Sequence, residues 1–264
     1  MNKPGEEPLL SLPERHSRIL SLLQQNGSIS VTQLSELFKV SEVTIRKDLS
    51  YLEQQKKLYR THGSAILISP YISDRHVNEK KKKNVAEKRA IGAAAAALVS
   101  QDDSIIIASG TTMAFLAREI KPVGRLTVIT AAVPVTQILS QHADVDVIQL
   151  GGITRSSSVS VVGPFAEAML RNFNCSKLFV GVDGIDTEFG LTTTNVLEAS
   201  LNDAMINAAQ KVVVLADSSK FGRRGFSKIC DLEAVDRIIT DSGVQPLYLE
   251  RLRERGIEVT VVDV

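Results

Sequence analysis

Cysteine is nearly absent from this sequence: Cys175 and Cys230 are the only two in 264 residues. Neither belongs to a CxxC pair or lies near a histidine cluster, so neither a disulfide framework nor a zinc site is suggested, and a reducing compartment fits. Long apolar runs are missing too. The longest, Ile91 to Val99, includes a glycine and falls far short of a bilayer span. The opening MNKPGEEPLL has no basic region leading into an apolar one. The expectation is a chain that is neither secreted nor membrane-spanning, hence cytoplasmic. Compositional bias is also lacking, since 44% hydrophobic and 23% charged residues are ordinary for a globular protein and exclude a disordered or fibrous one. The length exceeds the usual single domain, which predicts two domains or a domain with an appended module.

Net charge is small, +1, but unevenly spread. Residues 1–90 carry 16 Lys and Arg against 10 Asp and Glu, a balance of +6, and residues 91–264 carry 15 against 20, a balance of −5. Such a split points to a nucleic-acid-binding arm on an acidic body. Four of the front charges come from Lys80 to Lys83, which read equally well as a solvated linker.

The front half is patterned as short helices. Ser11 and Glu14 have capping-box spacing, Pro13 suits a first turn, Ile19, Leu20 and Leu23 share a face, and Gly27 ends the helix. A second start follows at Ser30 with Gln33, carrying Val31, Leu34, Leu37 and Phe38 on one side. After the break Lys39-Val40-Ser41, Ser41 caps a third helix whose apolar face is Ile45, Leu49 and Leu52. Its other side presents Glu42, Val43, Arg46, Lys47 and Ser50, with Thr44 near the start. Two helices joined by a tight turn, the second exposing short polar, methyl and cationic groups, form a helix-turn-helix suited to the major groove. Leu58 to Ile68 then predicts a hairpin turning at His62-Gly63-Ser64, with Arg60, Thr61 and His62 on a wing. The same pattern also describes a three-helix cap with a solvated basic face.

The stretch VTQLSELFKVSEVTIRKDLSYLEQQKKLYRTHGSA resembles the N-terminal winged helix-turn-helix of the DeoR-type bacterial sugar-metabolism repressors. Two positions depart from the family pattern: Lys47 stands for a second arginine and Ser64 for the wing's second glycine. Lysine keeps the charge but loses the planar bidentate fork, which alters base specificity.

Ser69-Pro70 and the polar stretch to Lys83 read as a linker, so the expected organisation is a DNA-binding domain at 1–69, a basic linker at 70–84 and a second domain at 85–264. That second domain begins with a helix burying Ile91, Ala94, Ala95 and Leu98, whose alanines predict close approach to a sheet. Beyond residue 100, β-branched runs at 105–107, 126–129, 145–150, 178–182, 212–215, 237–240 and 257–262 alternate with helical stretches. This predicts a Rossmann-like parallel α/β sheet buried on both faces, with ligands outside the strands' carboxyl ends.

The residues following those strands are the candidate site. Ser109-Gly110-Thr111-Thr112 opens a helix where backbone N–H groups and hydroxyls suit a phosphate, although capping alone would explain it. Gly151-Gly152 leads to Arg155, a guanidinium for an anion, or is merely a turn. Asp183 follows the fourth strand, and Asp217 with Lys220 follows the fifth, where Asp217 reads equally as a helix cap. Glu198 faces either the site or solvent; Arg223 and Arg224 read as anion-capturing cations or a solvated loop; and His16, His76 and His142 read as surface residues.

SGTT, LGG, GVDGID, GLTT, the Glu198-bearing VLEA and DSSKFG resemble the C-terminal sensor of the same DeoR-type family, which is similar in fold to ribose-5-phosphate isomerases and CoA-transferases. The resemblance implies a phosphorylated sugar held by Gly110, Thr111 and Thr112, with Asp183, Glu198, Asp217 and Lys220 around the sugar. GVDGID…GLTTTNVLEASLN and DSSKFGRRGFSKIC are similar to the branch that controls galactosamine and N-acetylgalactosamine use, while Ala131-Ala132 departs from a common Asn-Ser pair. The expectation is a sequence-specific repressor, not an enzyme, with no metal or cofactor. Its partners are operator DNA, a sugar-phosphate effector and further copies of itself. The competing expectation is a phosphosugar isomerase-like enzyme using Asp183, Asp217 and Lys220 for proton transfer.

Overall fold

The computed structural model describes residues 11–26, 28–55, 57–61, 64–67, 77–122 and 124–264. It divides into two units, Met1–Pro70 and Tyr71–Val264.

In the first unit, α1 (Leu12–Asn26), β1 (Ser28–Ser30), α2 (Val31–Phe38), α3 (Glu42–Gln54), β2 (Leu58–Thr61) and β3 (Ser64–Leu67) follow in order. The capping signals act as their spacing predicts: Glu14 Oε2 accepts from the Ser11 nitrogen at 3.0 Å, and Ser30 with Gln33 closes a reciprocal capping box. Lys39 adopts a left-handed conformation (φ 54°) that stops α2, and Ser41 caps α3 by accepting from the Thr44 nitrogen at 3.2 Å. Ile19, Leu23, Leu34, Ile45, Leu49 and Leu52 meet in a common core. The three-residue β1, too short for a periodicity signal, pairs antiparallel with β3, so the wing is a three-stranded sheet ordered β1-β3-β2. His62, placed on the wing by sequence, and His76 lie outside the described residues.

His16 is not a surface residue. Asp48, buried on the inner side of α3, accepts from Arg15 at 2.6 and 3.1 Å and lies 3.1 Å from His16 Nε2. The imidazole stacks on Tyr51 at 5.1 Å between centroids. Sequence separation hid this pairing, which ties α1 to α3 by a charge network beneath the apolar core.

The second unit begins with α4 (Val77–Lys80) and α5 (Val85–Ala96), so from Val77 the stretch read as a linker is folded structure. There follow β4 (Ser104–Ile107), α6 (Thr111–Glu119), β5 (Leu126–Thr130), α7 (Val133–Leu139), β6 (Val145–Gln149), β7 (Ile153–Arg155), β8 (Ser160–Val162) and α8 (Pro164–Leu170). Then come β9 (Lys177–Gly181), β10 (Gly184–Asp186), β11 (Gly190–Thr193), α9 (Val196–Asn207), β12 (Val212–Leu215), β13 (Ser227–Cys230), β14 (Arg237–Asp241), α10 (Pro246–Glu254) and β15 (Glu258–Val262). Seven strands form one parallel sheet ordered β15-β14-β12-β9-β4-β5-β6. Side chains alternate between its faces: Ile106, Leu178, Val180, Val212 and Val214 pack with α8, α9 and α10. Ile105, Ile107, Phe179, Val213 and Leu215 pack with α5, α6 and α7. Burial on both sides is why these strands read as continuous Val and Ile runs. The small residues of α5 bring it against a helix as well as the sheet, since a Cβ at Gly92 would lie 2.8 Å from the Leu116 nitrogen of α6. The pair β7-β8 follows the edge strand β6, and the antiparallel sheet β10-β11-β13 is built from segments that follow the central strands β9 and β12.

Replacing Asp48 by alanine removes the buried carboxylate that accepts from Arg15 and meets His16. The expected cost is about 3–5 kcal/mol in denaturant unfolding of the first unit. A loss under about 1 kcal/mol, the scale of a surface pair, would contradict a structural role for this network.

Candidate functional site

On the outer side of α3, Val43 is 59% exposed and Arg46 and Lys47 are exposed beside it. Arg46 Nη2 donates to Glu42 Oε2 at 2.7 Å, while Glu42 Oε1 accepts from Thr32 Oγ1 at 2.9 Å. Glu42 therefore braces the turn between α2 and α3 and orients Arg46. Ser50 Oγ donates to the Arg46 carbonyl at 2.8 Å and accepts from Arg60 of β2, whose own nitrogen donates to Glu53 at 2.9 Å. The structure thus brings Ser41, Glu42, Thr44, Arg46, Ser50 and Arg60 into one connected surface, with Val43 and Lys47 exposed alongside. Thr61 is placed only by its strand.

The second unit's candidates gather where the sheet reverses its order of growth. β4 and β9 are neighbours, yet the chain continues from β4 outward through β5 and β6, and from β9 the other way. A crevice at the carboxyl ends of those two strands follows from this topology. Ser109 and Gly110 follow β4, and Asp183 follows β9. Gly110 holds φ 131°, and a Cβ there would meet nothing within 4 Å, so the backbone conformation, rather than lack of room, calls for glycine. No side chain caps α6, which leaves its first-turn N–H groups beside the buried Thr111 and Thr112.

Asp183 sits at the centre of a cationic knot. Its Oδ1 accepts from Lys80 at 2.8 Å with Lys220 at 3.9 Å, and its Oδ2 accepts from Thr193 and Thr194 at 3.2 and 3.4 Å. Burial pushes its pKa up, but the two ammonium charges and these hydrogen bonds outweigh that and hold it below the ordinary carboxylate value. Asp217 is also held low: burial opposes, while Lys220, the Ser219 hydroxyl and Asn84 prevail. It caps the turn Ser218–Lys220 through the Ser219 nitrogen and accepts from Asn84 at 2.8 Å, so the capping and site readings both describe it. Glu198 turns inward, accepting from Ser109 Oγ at 3.1 Å and from Arg155. Arg155 also donates to Ser157 at 3.1 Å.

Gly151 and Gly152 do not join this group. The Gly151 nitrogen lies 3.4 Å from Met169 Sδ, and Gly152, at φ 155°, would place a Cβ 2.7 Å from the Val162 carbonyl oxygen, so both make the turn that delivers Arg155. Arg224 is not a solvated cation: it pairs with the buried Asp186 at 2.9 Å and lies 5.1 Å over the Phe189 ring. Sequence reasoning passed over Lys80, Asn84, Lys88, Thr193 and Thr194. Lys80 was hidden in a lysine run whose other members are exposed, and Lys88 by its place on a helix. Its buried ammonium donates to the carbonyls of Lys80 and Lys83 at 2.7 and 2.6 Å. Burial lowers the Lys88 pKa. Among the described residues no cluster of three metal-ligating side chains occurs, and no helix is long and apolar enough to cross a membrane.

Residues 15–71 match the DeoR-like helix-turn-helix domain and residues 83–242 the DeoR C terminal sensor domain. The chain belongs to the DeoR family. It is a DNA-binding transcriptional regulator with a C-terminal sensor. It is 39% identical over 249 residues to an uncharacterized HTH-type transcriptional regulator YulB of Bacillus subtilis, covering 94% of this chain and 96% of that one. Over 261 residues it is 38% identical to a protein of Escherichia coli O157:H7 named as an aga operon transcriptional repressor, covering 98% and 97%. A ribose 5-phosphate isomerase A of Methanocaldococcus jannaschii shares 17% identity over 53% of this chain and 55% of that one, with a TM-score of 0.39.

In this DeoR sensor, carboxylates with depressed pKa values stabilise the fold above the unfolded carboxylate value of about 4. That contribution is lost as pH falls through the lower folded values of Asp183 and Asp217. Unfolding measured from pH 7 down to pH 3 should therefore show a decline that Asp183→Asn flattens, while lowering stability at pH 7. An unchanged slope would remove Asp183 from the balance.

Proposed function

We propose that this DeoR-family chain represses genes for sugar use, and that a phosphorylated sugar bound in the β4–β9 crevice changes the affinity of α3 for operator DNA. The observation that carries the reading is Asp183 facing two ammonium groups beside an uncapped helix start. An anion is favoured by the two ammonium groups that meet at Asp183 and by the N–H groups of Gly110, Thr111 and Thr112. Hydroxyls are favoured by Asp183, Glu198 and Asp217, with Lys220 facing Asp183 and Asp217, and Arg155 orients Glu198. Phosphate caught by donors and polyol caught by carboxylates is the chemistry of a sugar phosphate. An amino-sugar phosphate comes first, because GVDGID and DSSKFG resemble the galactosamine branch and one relative is named as an aga operon repressor.

Binding without turnover is supported by the state of the carboxylates. A base for proton abstraction needs a pKa near the working pH, whereas Asp183 and Asp217 are held low and hydrogen-bonded. On the DNA side, Val43, Thr44, Arg46 and Lys47 would meet base edges, with Ser41, Ser50, Arg60, Thr61 and His62 toward the backbone and Glu42 positioning Arg46. One such module covers a short half-site, so the working form is a homo-oligomer in the cytoplasm.

Binding to the promoter DNA beside its own gene, at two salt concentrations and with a panel of hexose, pentose and amino-sugar phosphates, tests this. One phosphosugar should shift operator affinity by about 5–150-fold, corresponding to a coupling of about 1–3 kcal/mol, and Lys220→Ala should abolish the shift. Arg46→Ala should cost about 1–3 kcal/mol and relax preference at one base pair. Measurable isomerisation, or equal binding to all sequences, would falsify the reading.

A further inference from the structure

The segment from Val77 to Asn84 connects the wing's side of the chain to the sensor, and it is held at the crevice by contacts that a solvated linker would not make. The Val77 nitrogen donates to the Ser157 carbonyl at 2.6 Å, beside Arg155. Lys80 donates to Asp183 at 2.8 Å, and Asn84 donates to Asp217 at 2.8 Å from a left-handed conformation, φ 50°. From inside, the Lys88 ammonium holds the carbonyls of Lys80 and Lys83. The strap is thus fixed at both its polar ends and along its backbone. Lys80 lies in the interval 72–82 that neither family match covers.

Charge decides what Lys80 does there. Lys80 and Lys220 both face Asp183, two cations against one carboxylate, while Asp217 and Glu87 face Lys88. Lys88 is committed to carbonyl oxygens, so Lys80 and Lys220 are the groups able to turn from Asp183 to an incoming anion. A side chain that is 30% exposed retains the freedom to do so.

We propose that Lys80 is an effector-binding residue: the strap that carries it closes over the phosphate of the bound ligand. This rests on the sugar-phosphate reading of the crevice. It makes the stretch between the two DeoR modules part of the sensor's ligand shell, so ligand binding and strap docking are linked in free energy.

The test uses the full chain titrated calorimetrically with inorganic phosphate and with galactosamine 6-phosphate, comparing the parent with Lys80→Ala, Lys80→Arg and Lys220→Ala. Lys80→Ala should weaken binding about 10- to 100-fold, the scale of a lost charge-assisted contact, and Lys80→Arg should retain most of it. In parallel, trypsin cleavage within Lys80–Lys83 should slow several-fold when galactosamine 6-phosphate is added to the parent, but not to Lys220→Ala. If Lys220→Ala loses binding while Lys80→Ala binds as tightly as the parent or tighter, the strap is not part of the ligand shell, and the sugar-phosphate reading stands without it. Faster cleavage on adding the probe would mean that ligand displaces the strap and also overturns the proposal. If the parent binds neither probe, the sugar-phosphate reading falls and this inference with it.

Discussion

A parallel sheet that grows in two directions from one strand leaves a crevice that its own helices cannot fill. In the sensor unit this constraint acts at β4 and β9. The helix after β4, α6, packs on one face of the sheet, whereas the chain after β9 passes through β10 and β11 to α9 on the other. One wall of the gap is therefore backbone N–H from α6, and the other is the Asp183 carboxylate. The arrangement follows from strand order, and the side chains along the rim exploit it.

The second constraint is that charges brought toward an interior need partners. Asp183, Asp217 and Glu198 each accept hydrogen bonds from named groups in the unit itself. A ligand arriving there exchanges partners rather than meeting bare charges, so net affinity is a small difference between similar interactions. Specificity is larger, because a ligand that displaces one of these partners without replacing its hydrogen bond leaves a buried group without compensation. The first unit divides the same problem differently. The Arg15–Asp48 pair, 11% and 4% exposed, locks α1 to α3, while the Arg46–Glu42 pair, 54% and 39% exposed, is weak enough to give way. Rigidity lies beneath the helix and exchangeable contacts lie on its outer face.

What could be read from sequence follows the reach of each signal. The three helices of the first unit and all seven parallel strands were legible, because caps and β-branched runs are local. Ser30 with Gln33, Ser41, and the run Val212–Leu215 each announce themselves within a few positions. The short β7, β8, β10 and β11 were not, since glycine-rich stretches such as GVDGID and GLTT carry turn signals that outweigh three- or four-residue pairings. Side-chain partnerships across long separations were the least legible. Arg15 meets Asp48, Lys80 meets Asp183 and Asn84 meets Asp217 through the fold alone, and nothing near Lys80 distinguishes it from Lys81. The same blindness put His16 on the surface and left Arg224 open between anion capture and a solvated loop, because a buried charge and an exposed one have the same letter.

Backbone strain falls in a telling place. Asn84 and Val159 both hold φ 50°; asparagine adopts this region at little cost and Asn84 reaches Asp217, whereas Val159 lies in the turn between Arg155 and Ser160. For a β-branched valine this conformation is an outlier, and such outliers cost about 1–3 kcal/mol and persist only where surroundings over-determine them. The Val159 carbonyl accepts from the Val133 nitrogen at 3.2 Å, and the same loop, through the Ser157 carbonyl, accepts from Val77 at 2.6 Å. Asn84 is held by Asp217, one of the carboxylates proposed to receive the sugar. The two left-handed residues therefore lie on segments hydrogen-bonded to each other, and the strap's segment to the crevice as well. The contact from Asn84 to Asp217 holds that turn against the crevice, in keeping with a strap that docks on the ligand rather than one that is displaced by it. A sensor needs an element with two arrangements whose balance the ligand can tip. The strap proposed above is the candidate for that element, and its contacts, of about a few kcal/mol, are on the scale of the coupling needed to alter DNA affinity.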